Sequence, residues 1–134
     1  MTSRAFDIMR ELPAILSAVD GITAESFDLF YRDPDSIDES LLPRVLIYNP
    51  STAEPELPEF GLRAIEFGFV VLVVGQVDSD ENTLRIAEDM AAIVERAALV
   101  NADRASMNPG SIVTDRERGR ARVLASIIAQ WEGV

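Results

Sequence analysis

The 134 residues predict an α+β fold in a single domain, residues 1–134: a mostly antiparallel sheet of four to five strands with two helices packed on it. Three observations lead there. Two segments repeat apolar residues at helical spacing, one near the start of the chain and one over residues 81–99. Residues 63–74 alternate as a strand does and finish in an aliphatic run. The resulting order, α-β-β-β-α-β-β, lacks the regular strand-helix alternation of a parallel doubly wound sheet.

The first helix carries Phe6, Met9, Leu12, Ile15, Leu16 and Val19 on one stripe, with Thr2 or Ser3 as cap and Asp20-Gly21 as stop. Pro13 has no N–H for the carbonyl of Met9, so the helix either kinks there or begins near Leu12. Glu25 to Tyr31 is rich in aromatic residues and ends at Asp33-Pro34-Asp35, which predicts a first strand. Pro43 to Tyr48 predicts a second, closed by Asn49-Pro50. Pro50, Pro55 and Pro58 with Glu54, Glu56 and Glu59 then suit neither a helix nor a central strand, so residues 50–61 read as an acidic loop.

In the third strand Ile65, Phe67, Phe69, Val71 and Val73 share a face. The opposite face changes from Ala64, Glu66 and Gly68 to Val70, Leu72 and Val74. One end is therefore covered on both sides, either by the chain's own helix or by a neighbouring subunit. Asp78, Ser79 and Asp80 offer caps for a second helix from Glu81 to Leu99. Its expected buried line is Leu84, Ala87, Ala91, Val94 and Ala98, flanked by Ile86, Met90, Ile93 and Ala97. Residues 101–110 predict an irregular connection, followed by strands at Ser111 to Thr114 and Arg120 to Trp131 about a turn near Glu117 to Gly119.

Composition removes whole classes of chemistry. The chain has no Cys and no His, and its 12 basic residues are all Arg. Disulfides, thiolate or imidazole metal sites, Cys or His catalysis and lysine chemistry are excluded together. No enzymatic activity and no cofactor are expected. Two carboxylate clusters, Asp33, Asp35, Asp38 and Glu39, and Asp78, Asp80 and Glu81, are of the type that holds calcium or magnesium. The first lacks the turn glycine and closing Glu of an EF-hand loop, and both suit ordinary turns and caps, so no metal is expected. The longest apolar run, Phe69 to Gly75, is far short of a membrane span, and a soluble protein of the cytosol is the simplest expectation.

Charge is unevenly placed along the chain. The net charge is -11, of which residues 20–66 supply -8, while residues 101–134 carry a net +1. Such a surface disfavours duplex binding. Arg116, Arg118, Arg120 and Arg122 fall at every second position, which projects them to one side if that hairpin is extended. They are either a solvated turn or a row that meets an acidic loop, Asp33 to Glu39 or Glu54 to Glu59, on another copy. Arg suits the second role because its planar fork binds carboxylates at two points. That contact joins unlike patches and so builds rings or filaments. Candidate contact residues are thus Arg116, Arg118, Arg120, Arg122, Asp33, Asp35, Asp38, Glu39, Glu54, Glu56 and Glu59. For apolar contact between subunits, the strand edges and Val70, Leu72 and Val74 are the candidates.

Taken in order, the strand end "YRDP", the strand "LPRVLIYNP", an acidic proline loop, "LRAIEFGFVVLVVG", the helix "ENTLRIAEDMAAIVERAALVN" and a closing "SIIAQW" resemble the tail terminator, or tail-completion, proteins of long-tailed phages. Tyr31, Pro34, Pro43, Pro50 and Ala98-Leu99 are its more particular points; Pro13 and "NADRASMNPG" depart from it. The resemblance implies a virion protein, assembled in the host cytoplasm, that forms a homo-oligomeric ring, a hexamer, at the head-proximal end of the tail. Its partners would be further copies of itself, the tail-tube protein and a head-neck connector protein, with genome DNA passing through the channel unbound. Two alternatives stand beside it: another head-tail connector of the neck, and a small acidic nucleic-acid mimic that occupies a basic host factor.

Overall fold

The computed structural model describes residues 3–53, 63–99 and 102–133. Two helices, α1 (Arg4–Leu16) and α2 (Asp80–Arg96), accompany five strands: β1 (Phe27–Asp28), β2 (Arg44–Ala53), β3 (Arg63–Gln76), β4 (Arg104–Asp115) and β5 (Arg120–Gly133). The sheet order is β1-β2-β3-β5-β4. Only β1 and β2 run parallel; the other neighbours are antiparallel. The α+β class and the order of elements agree with the sequence pattern.

Both helices lie on one face of the sheet, and that face holds the main core. Ile8, Leu12 and Leu16 of α1 and Ile86, Met90 and Val94 of α2 pack on Val45, Ile47, Phe67, Phe69, Val71, Val73, Val123 and Ile127. The alternation of β3 and β5 dictates this, since odd-numbered residues of both strands face the helices. At Gly75 the backbone of β3 comes so near α2 that a Cβ there would lie 2.0 Å from Thr83 Oγ1.

Several local expectations are corrected. Helix α1 begins at Arg4 and runs through Pro13. Its buried line is Ala5, Ile8, Met9, Leu12 and Leu16, while Phe6 is 42% exposed with Arg10 over its ring at 5.6 Å. Helix α2 stops at Arg96, and its fully buried residues are Thr83, Ile86, Ala87, Met90 and Val94, about one position away from the expected line. The first strand shrinks to Phe27–Asp28 because residues 24–26 form a 3-10 turn.

The two longest corrections share a cause. Asn49 and Pro50 do not end β2; Asn49 takes a φ of +52° inside a bulge between Tyr48 and Ser51, and the strand resumes to Ala53. Likewise β4 begins at Arg104, where an irregular connection is expected, because Pro109 and Gly110 sit in a bulge on an edge strand. A proline lacking its N–H is tolerated at such a position. A turn-like dipeptide therefore marks a bulge in both strands.

The short strand β1 is fixed by charge. Asp28 is 8% exposed and accepts a two-point contact from Arg44, Nε to Oδ2 at 2.9 Å and Nη2 to Oδ1 at 2.7 Å. Arg44 also donates to the carbonyl of Glu25 at 3.0 Å. Hydrogen bonding from Arg44 holds the Asp28 carboxyl below its ordinary value of 3.8, against the upward push of burial. A lowered folded-state value means the stabilisation is complete above the ordinary value and is lost as pH falls through the lowered one. Urea midpoints of wild type and Asp28→Asn should differ by a constant amount near neutral pH and converge below 3.8. A gap that stays constant down to acid unfolding contradicts this.

Candidate assembly surface

The face of the sheet opposite the helices is covered at one end only. There Ile37 is buried with Leu46, Leu72 and Val74, and Leu42 and Tyr48 pack beside them. The cover expected from a helix or a second subunit is the chain's own strap, residues 33–42, folded as two 3-10 turns. Asp33 accepts from the N–H of Asp35 at 3.0 Å, and Asp38 accepts from the N–H and hydroxyl of Ser40, both at 2.9 Å. The Ser40 donors keep the Asp38 carboxyl below its ordinary value. These acids shape turns, and among the described residues no group of three or more ligand side chains converges on a metal position.

The strap is tied to the β4–β5 hairpin by two of the arginines singled out in the sequence. Arg120, itself 9% exposed, donates from Nη2 to the carbonyl of Ile37 at 2.7 Å and from Nε to that of Pro34 at 3.3 Å. Arg118 pairs with Asp35 at 2.7 Å, and that carboxylate raises the guanidinium's pKa. Arg122 lies 4.0 Å from Asp115. Arg116 is exposed and makes no ion pair among the described residues. The four do not form one row, because residues 116–119 are a turn and only Arg120 and Arg122 lie in the strand. Within this chain Arg118 meets Asp35 of the acidic segment, and Arg120 meets its backbone carbonyls. Glu39 is exposed, and Glu54, Glu56 and Glu59 lie outside the described residues.

Beyond the strap the helix-free face is open among the described residues. Ladder register sets its side chains in cross-strand rows, which follow from the pairings of β2, β3, β5 and β4. Leu46, Leu72 and Leu124 form one row; Tyr48, Val70, Ser126 and Asn108 the next; Ser51, Gly68, Ile128 and Ser106 the third. Ala53, Glu66, Gln130 and Arg104 form the last, where Gln130 donates to Glu66 at 2.8 Å and Arg104 pairs with Glu132. The surface thus grades from apolar beside the strap to polar at the far end. Towards the strap end Leu124 and Val113 are 56% and 57% exposed, and Tyr31, 58% exposed, meets Tyr48 edge-on at 5.2 Å. Burial raises the pKa of Tyr48, with Tyr31 adding to the effect. Of the apolar contact candidates, Leu72 and Val74 are spent under the strap, whereas Val70 remains half-buried on the open part.

The alternation of the last strand places Leu124 and Ile128 on its second face without marking them as exposed, and Val113 and the start of β4 have no such signal. In β5, Leu124, Ser126, Ile128 and Gln130 alternate with Val123, Ala125, Ile127 and Ala129. Exposed aliphatic residues on the outer phase mark a face that other residues of the sheet do not cover.

The depressions of the surface are shallow. One of 480 Å3 lies at the start of α2 between Asp78, Ser79, Glu81, Asn82 and Arg85. Arg85 there is committed to Asn82, Asp89 and the carbonyl of Asp20. Among the described residues no helix is long and apolar enough to cross a membrane.

Fold and surface together define an α+β sheet with both helices on one face and the other face only partly covered among the described residues. No protein-family model matches the chain, and no curated protein matches it in sequence. Among solved structures it is similar in fold to a chain described as "Virion of native gene transfer agent (GTA) particle". That similarity has a TM-score of 0.59 at 12% identity and covers 98% of this chain and 100% of the other.

Proposed function

We propose that the protein is a structural component of a phage-like virion, acting as a ring-forming tail terminator at the head-proximal end of the tail tube. The observation that carries this reading is the fold shared, over nearly the whole of both chains, with a chain of the gene transfer agent virion. The order of elements and the motifs that resemble tail terminator proteins point the same way. Its mechanism is assembly without turnover. A ring of copies added to the tube end blocks further polymerisation, offers a surface to the head or neck and leaves a channel for the genome. A net charge of -11 per copy suits that channel, because negative walls repel phosphates.

Tube polymerisation tests this directly. Adding the purified protein to polymerising tail-tube protein should shorten the tubes and narrow their length distribution in electron micrographs, with a cap at one end. An unchanged distribution at excess protein rejects termination. Copies of the chain bound along the tube wall would reject it as well.

A further inference from the structure

We propose that a second copy of this chain docks edge to edge on the first, the start of β4 in one copy adding antiparallel to the end of β2 in the next. This deepens the ring reading and rests on it. Among the described residues the sheet has two open edges, since β4 pairs only with β5 and β1 covers β2 only at Val45 and Leu46. Unpaired edges carry a row of backbone donors and acceptors that another strand can satisfy.

The two edges match in direction and in level. β2 is antiparallel to β3, β3 to β5 and β5 to β4, so β2 and β4 run oppositely. Repeating the sheet from copy to copy therefore places them as an antiparallel pair, the more stable ladder. Three rows cross the sheet between the open segments: Ser51 lies level with Ser106, Thr52 with Ala105 and Ala53 with Arg104. On one side the Tyr48/Ser51 bulge bounds these rows in β2, while β4 continues in register as far as Pro109. Ser51, Thr52, Ala53, Arg104 and Ser106 are all exposed. The contact joins unlike edges and so propagates; closure makes it a ring.

The absence of cysteine gives a clean test. Ser51 and Ser106 share a face and a level, yet within one copy three strand spacings, about 14 Å, separate them. No disulfide spans that distance, so Ser51→Cys/Ser106→Cys can close only between copies. Oxidised and run without reductant, the double variant should give a ladder of covalent multimers, and each single variant should stay monomeric. Ala53→Cys/Ser106→Cys covers a slip of two residues. Dimers from Ser106→Cys alone mean β4 pairs with β4 and overturn the proposal. Particles seen by electron microscopy without a ladder in either double variant overturn it while leaving the ring intact. A chain that stays monomeric at every concentration, without a ladder, overturns both.

Discussion

Gly75→Val should not yield a folded protein, and Gly75→Ala should lower stability by about 3 kcal/mol, since forced overpacking of a core costs roughly 1–3 kcal/mol and more where nothing can yield. Thr83 cannot yield easily. It is 1% exposed, and its hydroxyl donates to the carbonyl of Ser79 at 2.9 Å, so the rotamer that collides with an added Cβ at 2.0 Å is held in place. Thermal unfolding should shift by roughly 10 °C for such a loss in a chain of this size. The double variant Gly75→Ala/Thr83→Ala should regain part of that loss, because the nearest atom left is the residue 83 Cβ at 3.3 Å, tight but tolerable. A double-mutant cycle reads the coupling. Losses that simply add would show that the helix retreats from the strand as a whole and that the contact at Gly75 is not what sets its distance.

The same contact shows what periodicity conveys and what it omits. Strong alternation in β3 and β5 specified their faces, because a one-residue error would have turned every side chain of a buried strand outwards. Helix α2 was legible as a helix, but its buried line was displaced, since Thr83 is polar in type and apolar patterning gives it no weight. Its burial depends on a glycine eight residues earlier, in the preceding strand β3. Bulges were misread for a similar reason: Asn49-Pro50 and Pro109-Gly110 have the local chemistry of turns, and only pairing with a neighbouring strand decides that the chain carries on. For the assembly surface, residue types were legible and partners were not. Arg118 and Asp35 are 83 positions apart, and a sequence shows that such groups suit each other without showing whether they meet in one chain or two.

Release of the strap is the second large effect expected, and Arg120 controls it. Its guanidinium holds the carbonyls of Pro34 and Ile37 from a buried position, whereas the Arg118–Asp35 pair stands at the surface. Hydrogen bonds from charged donors to buried carbonyls contribute roughly 1.5–3 kcal/mol, and truncation leaves their acceptors unsatisfied. Arg120→Ala should therefore cost about 3 kcal/mol, within the roughly 2–5 kcal/mol expected for Ile37→Ala in the core beneath it. Both substitutions undo one event, the docking of residues 33–42, so their effects should fall short of adding. Hydrogen exchange locates that event. The amides of Ile37, Leu41 and Leu42, bonded within the strap, should lose protection in Arg120→Ala while those of β3 and β5 keep theirs. Arg118→Ala should leave the pattern nearly as it is, and 0.5 M salt should mimic that variant, since screening weakens an exposed ion pair and leaves buried carbonyl contacts alone. Loss of protection spreading through β3 in Arg120→Ala would mean that the strap belongs to the main cooperative unit. The strap would then be a wall of the core, fixed as firmly as the sheet it covers.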